Sequence, residues 1–77
     1  MLTHLSQSQR QVLGYLLQGS TEPQIAETLR RSRHTIHDHT KAIYRTCGVS
    51  RRVHLVRLFV GVHPEELIAG TLPKHLG

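Results

Sequence analysis

Apolar positions along this chain recur at helical rather than strand spacing. Val12, Leu13, Leu16 and Leu17 all fall on one side of a helix with roughly 3.6 residues per turn. Ser6, with Gln9 three residues later, forms a capping-box pair in which each side chain satisfies a backbone N–H that the first turn leaves unpaired. The pattern predicts a first helix from about Gln7 to Gln18, stopped at Gly19, where left-handed backbone carries no steric penalty. Thr21 and Gln24 repeat the capping pair, with Pro23 inside the first turn, where its missing N–H breaks no bond. A short second helix follows from about Glu22 to Leu29, with Ile25, Ala26 and Leu29 inward and the small Ala26 allowing the next helix to come close.

Ser32 is placed to cap a third helix from about Arg33 to Thr46, whose apolar side is Ile36, Ile43 and Cys47, with His39 and Thr40 beside it. Gly48 stops that helix, and Ser50 is placed to cap a fourth from about Arg51 to Val60. Leu55, Val56 and Phe59 form its core stripe. Val53 and Val60, seven apart, lie on another side, and Leu58 and Val62 add further apolar surface. The tail after Gly61 is open between two readings. His63-Pro64-Glu65-Glu66 has the features of a helix start, with acids near the positive end of the dipole, but Gly70 ends the segment soon. The expectation is an all-α fold: a four-helix bundle containing a helix-turn-helix over residues 1–62, then a tail, 63–77, with room for a short fifth helix.

At 77 residues the chain has room for one modest core and none for a separate sensing or catalytic domain. Regulatory input is then expected from an upstream sensing domain, a partner protein or dimerisation. With 4% aromatic residues and no Trp, the core must be built mainly from aliphatic side chains, which suits packed helices. The formal charge is +5, but its placement says more than its sum. Residues 30 to 57 hold eight of the ten Lys and Arg residues and a single acid, Asp38. That asymmetry points to an anionic partner, and to nucleic acid over a membrane surface because the segment lacks a broad apolar face. The single cysteine, Cys47, excludes an internal disulfide and fits a reducing compartment. With neither an apolar run of bilayer length nor a signal-peptide pattern, the expected location is the cytoplasm.

Two short helices joined by the tight turn Arg30-Arg31-Ser32, the second capped and basic on its outer face, are the parts of a helix-turn-helix reader. Residues 5 to 59 resemble a LuxR-type (GerE-type) DNA-binding domain. The matching words are Leu5-Ser6, Val12-Leu13, Gly19, Ile25-Ala26, Leu29, Ser32, Thr35-Ile36, His39, Ile43, Gly48-Val49, Arg52 and Leu55-Val56, in family order and spacing. The resemblance implies an all-α domain whose third helix reads double-stranded DNA, in bacterial transcription factors that commonly bind as dimers. The chain departs from the family at Gln9 and Gln11, where acids are usual, at His37, where Lys is usual, and at Thr46-Cys47, where Lys-Leu is usual.

With Ile36 and Ile43 inward, the opposite side of the third helix carries Arg33, His34, His37, Asp38, Lys41 and Arg45. The resemblance puts His37, Asp38 and Lys41 nearest to base edges. Lys41 suits guanine acceptors, Asp38 the cytosine amino group, and His37 either partner according to its protonation. Arg31, Arg33, Thr35 and Arg45 are candidate phosphate contacts, with Ser32 and Thr35 at a helix start that favours anions. Ser32 already has a structural task as a cap, and Arg52 suits either DNA or an internal tether. Val53, Arg57 and Val60 mark the expected dimer surface on helix four, for a weak homodimer; the competing fate is that Leu67, Ile68 and Leu72 fold back over that stripe.

Seven histidines raise a metal site, chiefly His34, His37 and His39 with Cys47. On a helix, however, His34 and His37 point outward while His39 turns toward Ile36 and Ile43, so the set does not converge. His39 reads instead as a half-buried core histidine. No nucleophile-base pair or paired carboxylates suggest an enzyme or a small-molecule substrate, and no cofactor is expected. Two other readings stay open: a sigma-factor-like promoter-reading domain, disfavoured by His39 and Gly48-Val49, and a protein-interaction module on the same fold with DNA binding lost.

Overall fold

The computed structural model describes residues 2–70. The two sequence-encoded capping boxes close at Ser6 and Thr21, and each starts a helix. At the first, the Ser6 N–H donates to Gln9 Oε1 at 2.9 Å and the Gln9 N–H donates to Ser6 Oγ at 3.1 Å. The helices are α1 (Gln7–Leu17), α2 (Glu22–Leu29), α3 (Arg33–Cys47), α4 (Arg52–Leu58) and α5 (Pro64–Ile68), and a 3-10 turn at Leu2–His4 precedes them. Among the described residues there is no strand. The all-α expectation holds, and the tail's open reading resolves as a short fifth helix.

The core gathers one stripe from each helix. Val12, Leu13 and Leu16 of α1 meet Ile25 of α2, Ile36 and Ile43 of α3, and Leu55 of α4. Leu2 and Leu5 close the bottom of α1, and Arg10 ties that end down by donating to the Leu5 carbonyl at 2.6 Å. Leu17 and Leu29, both expected inward, are only half-buried at the core margin.

The α2–α3 turn depends on a residue that the sequence pattern does not flag. Arg30 takes up φ 54° and ψ 47°, left-handed backbone that disfavours any residue with a Cβ by about 1–2 kcal/mol. In exchange, the Arg31 N–H reaches back to the Ala26 carbonyl at 2.9 Å, closing the end of α2. The same closure at the end of α3 uses Gly48 at φ 69°, with Val49 N–H donating to the Tyr44 carbonyl at 3.1 Å. One turn of this kind therefore uses Gly, and the other holds an Arg in the position Gly prefers.

Helix four departs most from expectation. Its N-cap is Arg51, not Ser50, and no side chain caps it. It ends at Leu58, because Phe59 leaves helical geometry (φ −114°, ψ 28°) and drops its ring into the core. Val56, expected in the core stripe, is instead 40% exposed: in seven residues only one face meets the bundle, and Leu55 occupies it. Val60 consequently lies in the turn beyond the helix and not on a continuous stripe with Val53.

Helix five packs on α1, the most extensive helix pair in the fold. Gly14 makes the approach possible: a Cβ there would sit 2.8 Å from both the Pro64 carbonyl and Ile68 Cγ1. Gln11 Nε2 donates to the Ile68 carbonyl at 3.1 Å, and Leu67 is buried against the core. Helix α5 thus packs onto α1, and among the described residues Val53 and Val60 stay uncovered; Leu72 lies outside the described residues.

Candidate nucleic-acid interface

The buried side of α3 determines what its other side offers. Ile36, Ile43 and Cys47 fix the inward face. By helical register His34, His37, Asp38, Lys41 and Arg45 then fall within an arc of about 100° on the opposite face, and all five are exposed. Arg33 is exposed at the first turn, to one side of that arc, and Arg31 is exposed in the preceding turn. The candidate set is therefore brought together on one outer surface, with three cationic side chains, Arg33, Lys41 and Arg45, spaced along the length of α3.

Thr35 differs from the rest. It is half-buried, its N–H donates to Ser32 Oγ at 3.0 Å, and the two hydroxyls lie 2.9 Å apart. Ser32 is thus occupied as the α3 cap, its expected structural task. Cap and hydroxyl pair fix the first turn of α3, where the earliest backbone N–H groups have no helical partners.

Two acids share this surface with the cations. Asp38 Oδ2 lies 3.4 Å from His34 Nε2, four residues earlier on the same helix. His37 Nδ1 lies 3.2 and 3.3 Å from the two carboxylate oxygens of Glu22, at the start of α2. The Glu22 contact was not legible from α3 alone, because the pairing spans the turn between the two helices. Both pairs are surface pairs, weak as stabilisers of the fold, so their interest lies in how they dispose the ring nitrogens.

His39 is half-buried, as expected, and lines a cleft of about 80 Å³ with Gln11, Leu29, Arg31 and Ile36. Arg52 is the internal tether: its Nη1 donates to the Ser20 carbonyl at 2.7 Å, fastening the start of α4 to the turn before α2. Cys47 is buried, and desolvation pushes its thiol up from the ordinary cysteine value, which leaves it protonated and poorly nucleophilic. Apolar surface gathers elsewhere, on α4 and the turn after it, where Val53, Val56, Leu58 and Val60 are 52, 40, 46 and 80% exposed.

Residues 3–59 match the family described as bacterial regulatory proteins, luxR family. The chain belongs to the luxR family. Its members are helix-turn-helix, DNA-binding transcription regulators, and the match runs from the 3-10 turn through Phe59, covering α1 to α4. Helix five lies beyond the matched residues. Neither a comparison with curated proteins nor one with solved structures found a match. Among the described residues, no helix is long and apolar enough to cross a membrane.

Proposed function

We propose that this luxR-family chain is a sequence-specific reader of double-stranded DNA and a transcription regulator in the bacterial cytoplasm, with α3 lying in the major groove. The observation that carries this reading is the outer face of α3, with His34, His37, Asp38, Lys41 and Arg45 exposed together on a helix that the core holds by its other side. A major groove about 12 Å wide admits one α-helix. In that position His37, Asp38 and Lys41 reach base edges, while Arg31, Arg33, Thr35 and Arg45 contact phosphates. The chemistry is binding without a cofactor: charge attraction to phosphate supplies affinity, and hydrogen bonds to base edges supply selectivity.

Lys41 and Arg33 separate the two roles. On duplex libraries, Lys41→Ala relaxes the preference at one base position and costs about 1–3 kcal/mol on the best site. Arg33→Ala weakens all sequences alike. A uniform loss from both substitutions reassigns Lys41 to phosphate, and no loss from either removes the DNA reading in favour of an interaction scaffold.

The exposed apolar residues of α4 favour a weak homodimer, with Val53, Arg57 and Val60 at the contact. Val53 and Val60 stay open to solvent although α5 folds back on the domain. A two-fold axis there sets two recognition helices about one turn of DNA apart, and an inverted-repeat operator follows. A patch of this size lies at the low end of specific interfaces, so DNA assists the pairing.

A further inference from the structure

Among the described residues, Glu22 is the one carboxylate that pairs with the outer face of α3 from another helix. It stands at the first position of α2, and both of its oxygens lie within 3.3 Å of Nδ1 of His37. An ionised carboxylate accepts hydrogen bonds and donates none, whereas a neutral imidazole carries its single proton on either nitrogen. Contact with Glu22 therefore requires the proton on Nδ1. Nε2, on the opposite edge of the ring, is left as an acceptor, and the side chain is 56% exposed.

We propose that Glu22 is a specificity-determining positioning residue: it holds His37 in the Nδ1–H form, so that Nε2 accepts a hydrogen bond from a base amino group in the major groove. The proposal rests on the reading of α3 as the DNA-reading helix. Only adenine N6 and cytosine N4 present amino donors in that groove, whereas guanine and thymine present acceptors. The lysine usual at this position has donors alone and suits guanine. The Glu22–His37 pair thus reverses the hydrogen-bond polarity of one reading position, which a histidine without Glu22 does not do.

The other charged groups near His37 are on its own helix: Arg33 one turn before it, His34 and Asp38 paired with each other, and Lys41 one turn after. None of them is hydrogen-bonded or ion-paired to the ring. From the packed helix α2, Glu22 is the group that is.

Two measurements at pH 8, on the alkaline side of the imidazole titration range, test the assignment. Long-range proton–nitrogen correlation spectra of the free protein report which ring nitrogen carries the proton. The expected result is Nδ1–H for wild type and Glu22→Gln, whose amide oxygen also accepts, and loss of that form in Glu22→Ala. Selection from a random duplex library then reads the consequence. Wild type and Glu22→Gln favour adenine or cytosine at one position by about three- to tenfold, and Glu22→Ala loses that preference there while keeping it elsewhere. An unchanged ring form in Glu22→Ala, or an unchanged base preference, overturns the proposal. A wild type that selects no sequence overturns the DNA reading and the base-reading consequence with it, while the spectra still accept or reject the hold of Glu22 on the ring.

Discussion

Helices α3 and α4 both end at the same core, yet they are held in different ways. Helix α3 has fifteen residues, a serine cap at its start, a glycine closure at its end, and three buried side chains along one face. Helix α4 has seven residues, no side-chain cap, and one buried side chain, Leu55, before Phe59 anchors the turn that follows. The first is held along its length and leaves its polar side exposed. The second is pinned at its ends, by the Arg52 tether and by Phe59, and among the described residues its Val53, Val56 and Leu58 stay exposed. The contrast teaches that α3 owes its position to the chain's own core along its length, whereas α4, among the described residues, meets that core at Leu55 alone.

The largest expected effect tests whether the two helices differ in what they give the core. Ile43→Ala on α3 empties a fully buried site and lowers unfolding stability by about 2–5 kcal/mol. Val56→Ala on α4, at 40% exposure, lowers it by less than about 0.5 kcal/mol. Denaturant titration of both variants gives the comparison, and equal losses place Val56 in the core after all.

A smaller effect separates the caps. Ser32→Ala removes the acceptor of the Thr35 N–H and costs about 1 kcal/mol. Ser50→Ala removes no cap, because α4 begins after Arg51 without a side-chain bond, and leaves thermal stability unchanged. A loss at Ser50 matching that at Ser32 contradicts the assigned start of α4.

The smallest effect on the monomer is expected at the apolar patch. Val53→Glu and Val60→Glu change solvent-exposed sites and alter stability by less than about 0.5 kcal/mol. They nevertheless reduce the protein-to-operator stoichiometry measured by sedimentation from two chains to one. Two chains per operator in both variants remove α4 from the dimer contact.

These differences also explain how much was legible beforehand. Helices α1, α2 and α3 were readable because caps and periodicity agree: Ser6 with Gln9, Thr21 with Gln24, and Ser32 before a 3.6-residue pattern each fix a start that tertiary packing then keeps. The outer face of α3 followed from its buried face. Helix α4 departs from its sequence pattern at both ends and at Val56 because seven residues carry too little periodicity to choose between Leu55 and Val56, and because Ser50 resembles a cap without serving as one. Arg30 in left-handed backbone and the Glu22–His37 contact depend on two helices meeting across a turn, which spacing along either helix does not encode.

The central claim is that the basic outer face of α3 binds duplex DNA by displacing counterions from phosphates. The most direct test is the salt dependence of affinity, by fluorescence anisotropy on a selected duplex over a range of chloride concentrations. With roughly four to eight phosphate contacts per dimer, log affinity falls with log salt by about 0.9 per contact. A steep linear fall of that size, reduced by about one contact per chain in Arg33→Ala, is the predicted result; a slope near zero for the wild-type protein contradicts the account.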